Sequence, residues 1–230
     1  MRRGRSVAVL IPALDEEASV PGVLADIPSW VDRVVVVDNG SRDDTAGAAL
    51  RGGAEVVRAP RRGYGTAVQA GMHRLQDGPP HIVVILDADH ADRPELMHRL
   101  VDPIVDDQAD LVLSDRTRHA EPGALSLPQR FGNGLAVRLI AATVGLRTHD
   151  MGPFRAIRYD ALLALQMGDP TWGWNVEMQM KAVHHGLRVH EVTLPYRARR
   201  KGRSKISGSL QGAARAGVRI LSAVYRYRHP

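Results

Sequence analysis

Residues Val83–Asp92 read VVILDADHAD. Val83, Val84, Ile85 and Leu86 have the composition of a strand buried on both faces, the kind found inside parallel sheets. Asp87, Asp89 and Asp92 follow at once. Carboxylates that close repel one another, and the arrangement is costly unless something offsets it. A metal ion, a lysine or arginine, or water can do so.

Working outward, the first half repeats this alternation. Short apolar, β-branched runs at Ser6–Leu14, Arg33–Val37, Glu55–Arg58, His81–Leu86 and Ala109–Ser114 predict strands. Helix-like stretches lie between them: Asp15–Ile27 with an acidic start, Asp43–Arg51 after an Asn-Gly-Ser turn, Thr66–Leu75, and Pro94–Val105 opening on Pro-Glu. Strands alternating with helices predict an α/β fold, a mostly parallel sheet flanked by helices. Such sheets bind ligands beyond the carboxyl ends of their strands. The unusual residues fall there: Pro12–Glu16, Asp38–Ser41, Gly63–Gly65 and Asp87–Asp92.

The second half predicts helices at Pro128–Val144, Ala161–Met167 and Val176–His185, and strands at Phe154–Tyr159 and Arg188–Tyr196. A final amphipathic helix is expected over Ser209–Arg228. Arg215, Arg219 and Arg226 share one of its faces, and Ala213, Gly217, Ile220 and Val224 the other. With no repeat and no long linker, one domain over residues 1–230 is expected.

Composition narrows the classes. The chain has no cysteine, so it has no disulfide framework and no thiolate metal site. This fits a reducing, cytoplasmic setting. MRRGRSVAVLIPALDEE has the basic start of a signal peptide, but its apolar run is short and ends in acid, so it reads as a first strand. No apolar stretch approaches the roughly 20 residues that span a bilayer. The net charge is +6, and RARRKGRSK (Arg197–Lys205) concentrates it. That run suits a solvated loop, phosphates or an anionic membrane. With two Phe in the chain, aromatic stacking for nucleic acid is scarce.

Each motif has an ordinary alternative. Asp-Ala-Asp after a buried strand can bind a divalent ion with one carboxylate and orient water or ribose with the other; a strand end running into a polar loop is the plain alternative. No G-x-x-x-x-G-K-[ST] is present, which removes a P-loop. GYGTAVQAG holds Gly63 and Gly65 but Val68 in the third glycine position, a weak dinucleotide signature better read as a turn or a close approach. Asp38 can accept from a base or ribose, or cap an Asx turn. His90 adjoins the aspartates and is a metal-assisting or a surface histidine. Trp172 and Trp174 are core residues or a sugar platform.

Taken in order, IPALDEE, VVDNGS, GYGTA, DADHADRPE and SDRTR resemble family 2 glycosyltransferases of the GT-A fold. DMGPFRAIR, WNVEMQMKAVHHGLRVHEVTLPYRAR and GRSKISG resemble the dolichyl/polyprenyl-phosphate mannosyltransferase and glucosyltransferase branch. The resemblance implies a nucleotide-binding half over 1–118, an acceptor-side half with a basic loop over 119–208, and a C-terminal helix over 209–230. It implies that Pro12, Ala13, Leu14, Glu16, Asp38, Gly40, Gly63, Asp87 and Ala88 meet the nucleotide. Asp87, Asp89 and Asp92 would hold Mg²⁺ or Mn²⁺. Arg116, Arg199 and Lys205 would meet phosphates, for which the guanidinium fork is suited.

The sequence departs from that pattern at three places. Ala91 stands where Gln is usual, with Asp92 one residue later as its replacement. Gly152-Pro153-Phe154 stands for Ser-Gly-Phe, and Asn39 for a second Asp. The implied reaction is inverting transfer of a sugar from a GDP- or UDP-linked donor, with Asp89 among the catalytic residues. A polyprenyl phosphate acceptor is already ionised and needs no base. A small-molecule hydroxyl acceptor needs one, and Glu177 is the candidate, with an exposed helix residue as the alternative. The basic face of the last helix suits peripheral contact with an anionic membrane; packing on the domain is the default. A sugar-nucleotide pyrophosphorylase is excluded by PALDEE where its Gly-rich loop belongs. A non-catalytic sugar-nucleotide-binding module is the remaining reading.

Overall fold

The structure is a computed structural model describing residues 1–199 and 220–229. Its elements in chain order are β1 (Val7–Ala13), α1 (Val20–Ala25), β2 (Arg33–Asp38), α2 (Thr45–Arg51), β3 (Glu55–Arg58), α3 (Tyr64–Leu75), β4 (Ile82–Ile85), α4 (His98–Val105), β5 (Leu111–Asp115), α5 (Leu127–Val144), β6 (Arg155–Arg158), α6 (Tyr159–Ala164), α7 (Trp174–His184) and β7 (Val189–Thr193). Residues 220–226 form a last helix, α8. The expected stretch 209–219 lies outside the described residues.

The seven strands form one sheet in the order β3-β2-β1-β4-β6-β5-β7. Every pairing is parallel except those of β6, which runs antiparallel between β4 and β5. The mostly parallel α/β sheet is therefore present, and the strand from the second half is wedged into its middle. Because side chains alternate across a strand, β1 feeds two cores. Val7, Val9 and Ile11 pack with Val101 and Ile104 of α4 on one face. Ala8 and Leu10 pack with Val68 of α3 and Trp174 and Met178 of α7 on the other. Outside α7, a third cluster joins Ile140 of α5 to Val176 and Met180, and to Ala223 and Val224 of α8. The apolar face of the final helix thus packs on the domain.

Two local differences from expectation have clear causes. Helix α1 starts at Val20, not Asp15, because the acidic residues tie loops together. The amides of Asp15, Glu16 and Glu17 donate to Ser41 Oγ, Thr45 Oγ1 and Asp43 Oδ2, while Asp15 Oδ1 accepts from the Arg42 amide. Pro94–Leu96 form a separate 3-10 turn before α4.

Gly63 and Gly65 serve the protein's own backbone. A Cβ on Gly65 would clash with the Asp169 carbonyl, and one on Gly63, which also has φ +155°, with that of Pro170. The Thr66 amide donates to Pro170 O at 3.1 Å. Glu177 holds this loop from below. It is fully buried, its two oxygens accept from the Gly168 and Asp169 amides at 2.7 Å each, and Lys181 pairs with it at 2.8 Å. At the far edge, Asp110 receives the Arg188 amide and guanidinium at 2.9–3.0 Å and Arg158 at 3.3 Å, joining β5 to its neighbours β6 and β7.

Gly65→Ala should destabilise the fold by about 1–3 kcal/mol through overpacking, read by urea denaturation. The hydrogen bonds from Arg188 hold the Asp110 carboxyl down at about 2 against burial. A depressed carboxyl stabilises above its unfolded pKa and loses that contribution as pH falls through the folded value. Asp110→Asn should therefore lower Tm by roughly 2–4 °C at neutral pH. The gap to wild type should close between about pH 4 and pH 2; a gap constant over that range would exclude the ion pair as its source.

Candidate active site

The carboxyl ends of β1, β4 and β5 open into a cavity of 610 Å³. Pro12, Ala13, Leu14 and Glu16 line it from β1, Asp87, Ala88 and Asp89 from β4, and Arg116 from β5. Gly63 and Arg199 complete the expected set that the fold brings together. Asn39, Arg62, Tyr64, Arg130, Asp150 and Tyr196 also line it and were not expected. Asp150 lies within DMGPFRAIR, and Arg130 is the one charged residue in the first turn of α5, so each had a faint sequence signal.

Arginines meet acids inside. The Arg116 guanidinium donates to both oxygens of Asp150, at 2.6 and 2.9 Å, and its backbone amide donates at 3.0 Å. Its face lies 5.0 Å from the Tyr196 ring centre. Burial pushes the Asp150 carboxyl up, but Arg116 outweighs it and holds the group below the usual range. Arg199 bridges Glu16 Oε1 at 2.8 Å and Asp89 Oδ2 at 2.9 Å. Arg155 is fully buried and donates to the carbonyls of Met151, Gly152 and Pro153, holding that turn at the cavity wall. Removal from bulk water pushes Asp87 up to about 7; Asp89 adds to the shift, and Arg116 and Arg199 oppose it.

Other expected residues sit elsewhere. Asp38 is buried, its Oδ1 accepting from the Ser41 amide at 2.9 Å as an Asx turn; it is outside the cavity lining, where its neighbour Asn39 is found. Gly40 is outside the lining; its carbonyl accepts from Arg62 at 2.6 Å. Asp92 is buried, does not line the cavity and has no hydrogen-bond partner at Oδ2; burial, then Asp87, pushes it well above the usual carboxyl range. The expected third ligand thus lies outside the lining, near enough to Asp87 and Asp89 for their charges to raise it. Glu177 is corrected: with both oxygens taken by the 168–169 loop and Lys181, it presents no base and is not an exposed helix residue. His90 turns to Asp26 at 2.8 Å and Arg197 at 3.2 Å. Trp174 is core, while Trp172 lines the cavity. Lys205 and the GRSKISG loop lie outside the described residues.

Glu16, Asp87 and Asp89 offer oxygen donors, the preference of a hard divalent cation. A guanidinium already sits against two of them, so the spot accepts positive charge. The residues present fit a cation at Asp87 and Asp89. Among the described residues, only Asp115, His149 and Glu191 bring three possible ligand atoms within 4.8 Å of one another. Those atoms are engaged: Glu191 Oε2 with His149 Nδ1 at 2.6 Å, His149 Nε2 with Arg118 at 3.2 Å, and Asp115 Oδ1 with Thr117.

Comparisons with known proteins agree with this geometry. An uncharacterized glycosyltransferase of Mycobacterium tuberculosis is 41% identical over 216 residues, covering 91% of this chain and 94% of that one. A dolichyl-phosphate hexose transferase of Haloferax volcanii is 33% identical over 214 residues, 90% of each chain. Glucosyl-3-phosphoglycerate synthase of Mycobacterium tuberculosis, solved with Mn²⁺, UDP and glucosyl-3-phosphoglycerate, superposes with a TM-score of 0.77 at 25% identity, covering 97% of this chain and 80% of that one. Residues 8–165 match the sequence model described as Glycosyl transferase family 2. Strand-end acids facing arginines, a GT-A-like sheet and this match over most of the chain lead to one conclusion: the protein is a glycosyltransferase and belongs to family 2.

Proposed function

We propose that the enzyme transfers a hexose, with inversion, from a nucleoside diphosphate sugar to a polyprenyl phosphate. The observation that carries the reading is a single cavity in which Asp87 and Asp89 face Arg116 and Arg199. Carboxylates there suit a Mg²⁺ or Mn²⁺ ion, and arginines suit phosphates. Asp87 and Asp89 would hold the ion, which when bound offsets the charge of a departing diphosphate. Pro12, Ala13, Leu14, Gly63 and Ala88 leave an apolar bed for the nucleoside, and Asn39, whose amide oxygen accepts from the Gly63 amide at 2.9 Å, borders it.

Arg116 is preorganised by its two bonds to Asp150 and by the Tyr196 ring, so aiming its charge at a phosphate needs little reorganisation. Arg199 and Arg130 add positive charge along the same wall. An acceptor phosphate brings its own negative oxygen. A hydroxyl acceptor would need a base at the cavity, and Glu177 is turned away from it. The phosphate is favoured by the likeness to the dolichyl-phosphate hexose transferase. The second reading, a small soluble anionic acceptor, is favoured by the superposition on glucosyl-3-phosphoglycerate synthase. It is also favoured by the absence, among the described residues, of any helix long and apolar enough to cross a membrane.

The purified protein, given UDP-glucose or GDP-mannose with a short-chain prenyl phosphate and Mn²⁺, should yield a prenyl phosphate hexose by mass spectrometry. Omitting the cation should remove the product. Product with phosphoglycerate alone would establish the second reading, and no transfer to either acceptor would overturn both. Asp89→Ala should lower turnover by at least about a hundredfold, measured in the same assay. Glu177→Gln should lose about 1–3 kcal/mol of stability while its pH–rate profile keeps the wild-type shape; a lost basic limb would restore Glu177 as a base.

A further inference from the structure

Helix α5 turns an apolar ridge to solvent. Leu127, Phe131 and Leu135 follow one another at a four-residue spacing, and the first two are 81% and 76% exposed. Phe131 is one of two Phe in the chain, and the other, Phe154, is buried. On α8, Leu221 and Tyr225 repeat the spacing and are exposed, Tyr225 by 69%. Both helices pack into the same cluster around Ile140 and Val224. The cavity reaches this ridge: Pro128 and Arg130 of α5 and Ile220 of α8 line it.

Charge along α5 and its flanking turns has one sign. From Pro122 to His149 the chain has no Asp or Glu, while Arg130, Arg138 and Arg147 are exposed. No acidic residue follows Glu191. Exposed Leu and Phe flanked by arginines match the surface of an anionic bilayer, where apolar side chains enter the headgroup boundary and basic ones meet lipid phosphates. A second copy fits less well, since a two-fold contact would set the same arginines against one another.

We propose that the ridge of α5, joined by Leu221 and Tyr225, docks the enzyme on an anionic membrane with the cavity mouth at the lipid surface. The inference rests on the polyprenyl phosphate reading for its purpose: the acceptor's phosphate enters the cavity while its chain stays in the bilayer. It also moves the expected membrane contact from the basic face of the last helix to an apolar ridge on α5.

The test is co-sedimentation with vesicles of phosphatidylglycerol and phosphatidylcholine in equal parts, at low salt. Wild type should bind these, and bind phosphatidylcholine alone more weakly. Leu127→Ser/Phe131→Ser should bind the anionic vesicles about tenfold more weakly with an unchanged Tm. Neither residue lines the cavity, so transfer to a short-chain prenyl phosphate in free solution should be equal for both proteins. Wild type that ignores anionic vesicles, or a double variant that binds them equally well, overturns the docking surface. So does a ridge-dependent dimer without vesicle binding. Vesicle binding without transfer to any prenyl phosphate overturns the acceptor reading alone and supports the docking surface.

Discussion

The guanidinium of Arg199 between Glu16 and Asp89 is the contact on which the arrangement of the cavity depends. A parallel sheet gathers its strand ends at one edge, and here those ends carry Glu16, Asp87 and Asp89. Withdrawing such carboxylates from water without partners costs several kcal/mol each. The positive charge comes from distant sequence: Arg116 after β5, Arg155 at the start of β6, and Arg199 beyond β7. Charge balance therefore fastens the two halves of the chain together, beyond what the apolar cores do. It also interleaves carboxylates and guanidinium groups within one cavity.

Much of this was legible in the sequence because local rules and tertiary fate coincide in buried parallel strands. The run within His81–Leu86 is apolar because both faces of β4 are covered, so composition marks it. The strand-end motifs were legible for the same reason: polar residues directly after such runs have few places to go but the sheet edge. The placement of β6 was not legible. Its four residues read as a strand, but antiparallel insertion between β4 and β5 is decided by pairing across long sequence separation, which no local period encodes.

Side-chain roles were legible only where geometry left one choice. Asp38 and Asn39 are neighbours, and which one faces the cavity depends on the turn that Asp38 itself caps. Glu177 sits where a base would be sought, yet its partners are the amides of Gly168 and Asp169, whose approach is set by the turn before α7. The glycines at 63 and 65 signal close approach of something. Only the fold shows that it is the backbone of Asp169 and Pro170. In each case the residue type announced a constraint, and the partner came from elsewhere in the chain.

Ala91 shows how a small residue can redirect a site. It is buried against Leu125 and Tyr196, and its carbonyl accepts from the Arg197 amide at 2.9 Å. A long amide side chain at that position would meet those two residues. With Ala there, the strand leaving β7 can lie across the aspartate loop. The Arg197 guanidinium then reaches Glu95 at 2.6 Å and Asp26 at 3.3 Å. Two residues on, Arg199 arrives at Asp89. The departure that removes one oxygen donor from the loop thus coincides with packing that delivers a permanent cation to it. The exchange offsets the charge of the aspartate loop before any ion or substrate binds, and it makes the segment after β7 part of the cavity lining.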